Sequence, residues 1–229
     1  MGWLRKSRQR DEEVEQVESD KLEKEEKEIP LAYGPRDWAD ADEDEDLVDM
    51  GAIRLPAIEG MQVTLIPSTG TELDTVVAAL GGSSIELRAF AAPRSGKLWP
   101  QVREDLVAEL GRIGARTQEL KLGERIEIAA LVPAQNPAVD GNIAMRVLGF
   151  DGPRWFLRAV ITGPAATEQR ARAAIDEIVC GMVVYRDGAP HPPRDVLPLH
   201  APGAVNSEAD SGLDILAPGP TIAEGRGEN

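Results

Sequence analysis

Asn142-Ile-Ala-Met-Arg-Val-Leu-Gly-Phe-Asp-Gly-Pro-Arg-Trp-Phe-Leu-Arg-Ala-Val-Ile-Thr162 contains two runs of alternating side chains, Asn142–Phe150 and Arg154–Thr162, separated by Asp151-Gly152-Pro153. Apolar residues recurring at every second position mark half-buried strands, and a Gly-Pro pair between them marks a turn. Parallel neighbours need a crossover of a dozen or more residues. Two strands joined by three residues therefore form an antiparallel hairpin, and the fold is built out from it.

Upstream, the same alternation predicts strands over Gln62–Ile66, Thr75–Leu80, Ser84–Ala91 and Arg125–Val132. Downstream it predicts Met182–Arg186. Gly81-Gly82 predicts a tight hairpin, because glycine reaches positive φ without steric cost. Two segments change to helical spacing. In Trp99–Ile113 the residues Val102, Leu106, Leu110 and Ile113 share one face, and Pro100 suits the first turn, where a missing N–H costs little. In Thr167–Val179 the face is Ala171, Ala174, Ile175, Ile178 and Val179, with Thr167 placed to cap the start and Gly181 to end it. The expected architecture is α+β: a mostly antiparallel sheet of about six or seven strands flanked by two helices.

Charge divides the 229 residues into three parts. Residues 1–50 hold 18 acidic and 8 basic side chains, residues 51–200 hold 17 and 16, and residues 201–229 hold 5 and 1, giving −10, −1 and −4 of the total −15. The acidity belongs to the ends. Residues 1–46 read as a disordered acidic arm, in which 11–28 has helix propensity but only Val14, Val17 and Leu22 to bury. Residues 47–200 read as one domain, and the Gly/Pro-rich stretch 201–229 as a disordered tail. The arm reads either as a solubilising bristle or as a lure for a basic surface.

Three stretches carry a family resemblance: Phe90-Ala-Ala-Pro-Arg-Ser-Gly96 with Leu98-Trp99, Asp151-Gly-Pro-Arg-Trp-Phe-Leu-Arg158, and Pro192-Pro-Arg-Asp-Val-Leu-Pro-Leu199. Over about residues 47–200 the sequence resembles an actinobacterial family known only as domain of unknown function 3710. The resemblance implies no catalytic or binding residue. At coarser grain the order of elements is similar to the PsbP-like fold, whose members are mostly binding and assembly factors, and fold alone does not fix function.

Chemistry is sparse. No nucleophile elbow, Walker A loop, dinucleotide glycine fingerprint or zincin motif occurs. One cysteine excludes a disulfide framework, and with two histidines the chain lacks the ligands of a Cys-based zinc site. Neither a metal nor a cofactor is expected. His191 and His200 follow the last strand in Pro-rich sequence and read as solvent-facing; Cys180 reads as a small buried hydrophobe. The lack of a signal-like N-terminus or an apolar span of about 18 residues leads to the expectation of a cytoplasmic protein without a membrane partner.

Two features remain as candidate sites. Arg94, Ser95 and Lys97 lie where a strand runs into a helix, and helix N-termini attract anions; the alternative is a capped structural turn. Strand parity sets Arg88, Arg125, Arg146, Arg154 and Arg158, with Glu86 and Glu127, opposite the cleaner apolar sets of their strands, with Phe90, Phe150 and Phe156 interleaved. If those residues share one sheet face, five Arg against two Glu leave it at net +3. It is then either a row of cross-strand ion pairs or a surface for an acidic ligand or protein partner, single-stranded nucleic acid, or the chain's own arm. The near-neutral middle argues against nucleic acid. The expected function is a non-enzymatic binding or adaptor domain; the competing reading is a small-anion-binding protein or enzyme with its site at Arg94–Lys97. A pocket joining that loop to Arg88, Arg146 or Arg158 favours the second.

Overall fold

The computed structural model describes residues 33–42, 45–67, 72–134 and 141–203. Along the chain lie β1 (Arg36–Asp37), β2 (Leu47–Asp49), β3 (Ile53–Pro56), β4 (Gln62–Ile66), β5 (Thr75–Leu80), β6 (Ser83–Ala91), α1 (Trp99–Arg112), β7 (Arg116–Leu122), β8 (Arg125–Pro133), β9 (Asn142–Asp151), β10 (Trp155–Thr162), α2 (Gln169–Gly181) and β11 (Val183–Val184). Seven strands form one antiparallel sheet in the order β4-β5-β6-β10-β9-β8-β7. The fold is α+β, as expected. The arm up to residue 32 and the tail from residue 204 lie outside the described residues.

The central hairpin pairs β9 with β10, and β10 in turn pairs with β6. Between β5 and β6 the two-residue loop Gly81-Gly82 has φ of +59° and +78°. Both central residues are left-handed, as the twist of a tight hairpin requires. In the β9–β10 turn the positive φ falls not on Gly152 but on Arg154, at +65°. The strand accordingly begins at Trp155, one residue later than expected.

Other boundaries also shift. Thr167 does not cap α2; it ends a short 3-10 turn, Pro164–Ala166, and α2 starts at Gln169 after Glu168, with no side-chain cap. Gly181 is the last helical residue, and only Val183–Val184 of the expected Met182–Arg186 strand pairs. β7 is a strand the alternation does not reveal: Arg-Thr-Gln-Glu-Leu-Lys-Leu is an edge strand with no buried residue.

The large sheet buries its two faces unequally. α1 packs over one face with Ile128, Val147 and Phe156 beneath Leu98 and Trp99. The other face carries Ile85, Leu87, Leu157 and Ile161 and is covered by α2, through Ile175 and Ile178, and by a second sheet. That second sheet has the order β1-β11-β3-β2, with β1 parallel to β11. Residues of the expected arm thus enter the fold ahead of residue 47: Arg36 and Asp37 pair with Val183 and Val184, and Asp37 accepts a 2.6 Å hydrogen bond from Trp155 Nε1.

Residues 192–199 close the domain. Past the end of β5, the vacant edge of β6 is filled by this extended segment, with Ala91 N donating to Asp195 O (2.8 Å) and Leu197 N to Ala89 O (2.9 Å). Leu197 is buried beneath it. Prolines flanking the paired stretch suit such a role, because they favour extended backbone.

Candidate functional site

Between α1 and the sheet lies a pocket of about 200 Å³. Its floor is Phe90 of β6 and Phe156 of β10, direct cross-strand neighbours. The helix supplies Val102, Leu106 and the acidic rim of Asp105 and Glu109, while Arg158 and Arg194 stand opposite. The spacing of Val102 and Leu106 one turn apart sets both on the face toward the sheet. Arg194, on the closing segment, is held at a φ of +72° and reaches Asp105 at 3.7 Å.

Arg158 is the wall residue whose pairing stands out. It stands directly across from Arg88 in the β6–β10 ladder, an arrangement of like charges that destabilises a sheet. Arg88 is well supplied: its Nε donates to Thr75 Oγ1 at 2.7 Å and its Nη2 to Asp74 at 3.4 Å. Arg158 is not. Among the described residues its guanidinium makes one contact, 3.4 Å from Nη2 to Glu86, and its buried Nε has no partner. Burial, followed by the neighbouring Arg88, lowers its pKa against the pull of Glu86. A buried N–H without an acceptor is energetically expensive. Arg54, Arg103, Arg125 and Arg186 also have a buried Nε without a hydrogen-bond partner among the described residues, and of these five Arg158 is the one that lines the pocket.

The Arg94–Lys97 loop has a different fate. Arg94, Ser95 and Lys97 are all exposed. The amides that would receive an anion are taken by the chain itself: Asp151 accepts from Leu98 N at 2.7 Å and Trp99 N at 3.2 Å. A carboxylate at a helix N-terminus satisfies free N–H groups and complements the dipole. Asp151→Ala is expected to lower stability by about 1–2 kcal/mol, read as a shifted urea midpoint. A midpoint unchanged within error would show that this cap holds nothing.

The five arginines read as one face do not share it. In the β6–β10 register Arg88 and Arg158 point, with Phe90 and Phe156, toward the α1 side. Ile128 and Val147, also on that side, pair with one another, so their odd-spaced neighbours Arg125, Glu127 and Arg146 face the opposite side. Arg154 sits in the hairpin turn. The net +3 surface therefore does not form.

On that opposite side, Glu127 is fully buried. Arg172 of α2 meets it with two hydrogen bonds, 2.9 and 3.2 Å, Arg125 approaches at 2.9 Å and Arg146 at 3.8 Å. Arg172 also donates to Asp176 (2.7 Å) and Tyr33 (3.0 Å), and the Tyr33 hydroxyl donates to Asp176. Arg125 stacks 3.5 Å from the centre of the Tyr33 ring. Burial and the Asp176 hydrogen bond push the Tyr33 phenol well above its ordinary range. Arg125 and Arg146 thus neutralise a buried carboxylate.

Of the residues missed from sequence, Arg172 and Asp176 had a readable signal, the i,i+4 spacing of an ion pair on one helix. Tyr33 and Arg194 had none. His191 hydrogen-bonds Asp187 at 2.7 Å, His200 approaches Asp49 at 3.8 Å, and neither lines the pocket. Among the described residues no group of three His, Cys, Asp or Glu is placed to hold a metal ion. Nor, among them, is any helix long and apolar enough to cross a membrane.

No curated protein matches the sequence. A solved structure of a protein from Bacteroides thetaiotaomicron VPI-5482, at 1.50 Å resolution, is similar at 10% identity and a TM-score of 0.37. The similarity covers 62% of this chain and 48% of that one, so the chain spans about half of that protein's length. A family model described as "Protein of unknown function (DUF3710)" matches residues 34–208. That span starts one residue after the described chain begins and takes in both sheets, both helices and the closing segment. The chain belongs to the DUF3710 family.

Proposed function

We propose that the protein is a non-catalytic cytoplasmic binding protein whose pocket beneath α1 takes a small amphipathic carboxylate. The observation that carries this reading is Arg158: a half-buried cation, set across from Arg88, whose Nε has no partner among the described residues, at the wall of a pocket floored by two phenylalanines. A carboxylate supplies the missing acceptor, and its apolar body replaces water over Phe90 and Phe156. Volume sets the size. An apolar cavity of about 150 Å³ holds benzene, so about 200 Å³ suits one ring or a short alkyl chain with its head group.

The rim refines the choice. Asp105 and Glu109 repel a second negative charge, which favours a monocarboxylate or a zwitterion over a dianion such as a phosphate monoester. No serine, cysteine or histidine lines the pocket, and the Asp105 and Glu109 carboxylates are solvent-exposed. This composition favours binding over chemistry.

The test is titration of the full chain with phenylacetate and hexanoate, using 2-phenylethanol as the uncharged control, followed by amide chemical shifts. Saturable shifts at Val102, Leu106 and Phe156 are expected. A charged hydrogen bond contributes about 1.5–3 kcal/mol, so Arg158→Gln should weaken binding by about tenfold or more. Equal affinity for the alcohol, or an unchanged Kd in Arg158→Gln, would overturn the reading.

A further inference from the structure

We propose that a second groove, on the sheet face opposite the pocket, is the docking site of the chain's own acidic segment 11–28. The groove occupies about 380 Å³ and is lined by Arg116, Gln118, Leu131, Ala144, Arg146 and Thr167 among others. No carboxylate lines it. Leu131, across from Arg116 in the β7–β8 ladder, is 38% exposed, a large apolar side chain open in the groove. Arg116 is exposed and, among the described residues, makes no ion pair; Arg146 also lines the groove, but its Nε donates to Ala166 O at 2.9 Å and its Nη1 lies 3.8 Å from Glu127.

The path of the chain selects the occupant. Tyr33 is clamped at the near end of the β8–β9 pair, its ring against Arg125 and Phe150. From Arg125 to Leu131 is six residues of strand, about 20 Å. The five steps from Tyr33 back to Glu28 span at most about 17 Å, enough to bring residue 28 to the groove's near edge. Residues 11–28 carry ten acidic side chains and three lysines, net −7, with Val14 and Val17 three positions apart. Acid meets Arg116, and the valines meet Leu131. Tethering makes the contact intramolecular, at an effective concentration in the millimolar range, so a weak interface suffices. The inference is independent of the pocket beneath α1.

The experiment uses the full chain carrying Cys180→Ala and a nitroxide on Ser19→Cys, with amide relaxation as readout. At low salt the expected result is selective loss of intensity at Gln118, Leu131 and Ala144, with Val102 and Leu106 on the other face unaffected. Arg116→Glu should abolish the loss, as should about 1 M salt, where the screening length falls to about 3 Å. The unlabelled chain gives a second measurement: its Gln118 and Leu131 amide shifts should move with salt, and stop doing so in Arg116→Glu. Uniform or absent broadening overturns the proposal. So does broadening that survives Arg116→Glu, or that appears on isotope-labelled copies mixed with spin-labelled ones, which would assign the groove to a second copy.

Discussion

Glu127→Ala is expected to remove about 3–5 kcal/mol of stability, a large share of the roughly 5–15 kcal/mol that holds a domain of ordinary size together. The carboxylate lies fully buried in β8 with three arginines around it, Arg172, Arg125 and Arg146. Removing it leaves guanidiniums that repel one another in a site shielded from water. It also frees α2, which Arg172 ties to the sheet, and Tyr33, which Arg172 ties to α2. The measurement is urea unfolding followed by far-UV circular dichroism. Adding Arg172→Met to Glu127→Leu should recover part of the loss, since replacing a buried ion pair by apolar side chains is often neutral. A loss under about 1 kcal/mol for Glu127→Ala would mean that the cluster is solvated like a surface pair.

The second large effect is expected from one methyl group. A Cβ on Gly149 would lie 2.2 Å from Trp99 Cε3, 2.3 Å from Trp99 Cδ2 and 2.9 Å from Phe156 Cε2. The strand resists retreat, because β9 is paired with β10 at Gly149 and with β8 as far as Val147. Trp99 must therefore move, losing its 2.9 Å hydrogen bond to Ile126 O and its stacking on Phe156. Overpacking costs about 1–3 kcal/mol, and partial expulsion of a tryptophan adds to it, so Gly149→Ala should cost about 3 kcal/mol or more. Trp99 begins α1, so the roof of the pocket should loosen as well, with phenylacetate binding weakened in step. Trp99→Leu in the Gly149→Ala background should restore much of the stability. A midpoint within about 0.5 kcal/mol of the parent would contradict the close approach of helix and sheet.

Gly149 also shows what sequence could and could not say. Alternation marked β9 and β10 almost to the residue, because each strand has one face in a core. Parity alone, however, does not say which face. In β6 and β10 the apolar set faces the second sheet and α2; in β8 it is Ile128 and Ala130, facing the α1 side. The buried side thus changes across the sheet, and strands aligned by their apolar sets merge two opposite faces. Register resolves this, and register is a long-range property that one sequence does not display. For the same reason alternation groups Arg158 with Phe90 and Phe156 but does not bring Arg194, Asp105 and Glu109 to them. β7 escaped because an edge strand with both faces wet needs no alternation, and β1, β2 and β3 because two to four residues carry no period.

The segment that fills the edge of β6 gives the fold a history as well as a shape. Ala91 and its partner Asp195 are 104 residues apart in the chain. At roughly 5–20 residues per second of synthesis, that is about 5–20 s. For that time the nascent chain carries an unpaired strand end beside Leu87 and Ala89, the kind of edge that recruits foreign strands. Completion of the domain is a late event on the ribosome, and folding yield in the cell should depend on what shields β6 until its partner emerges.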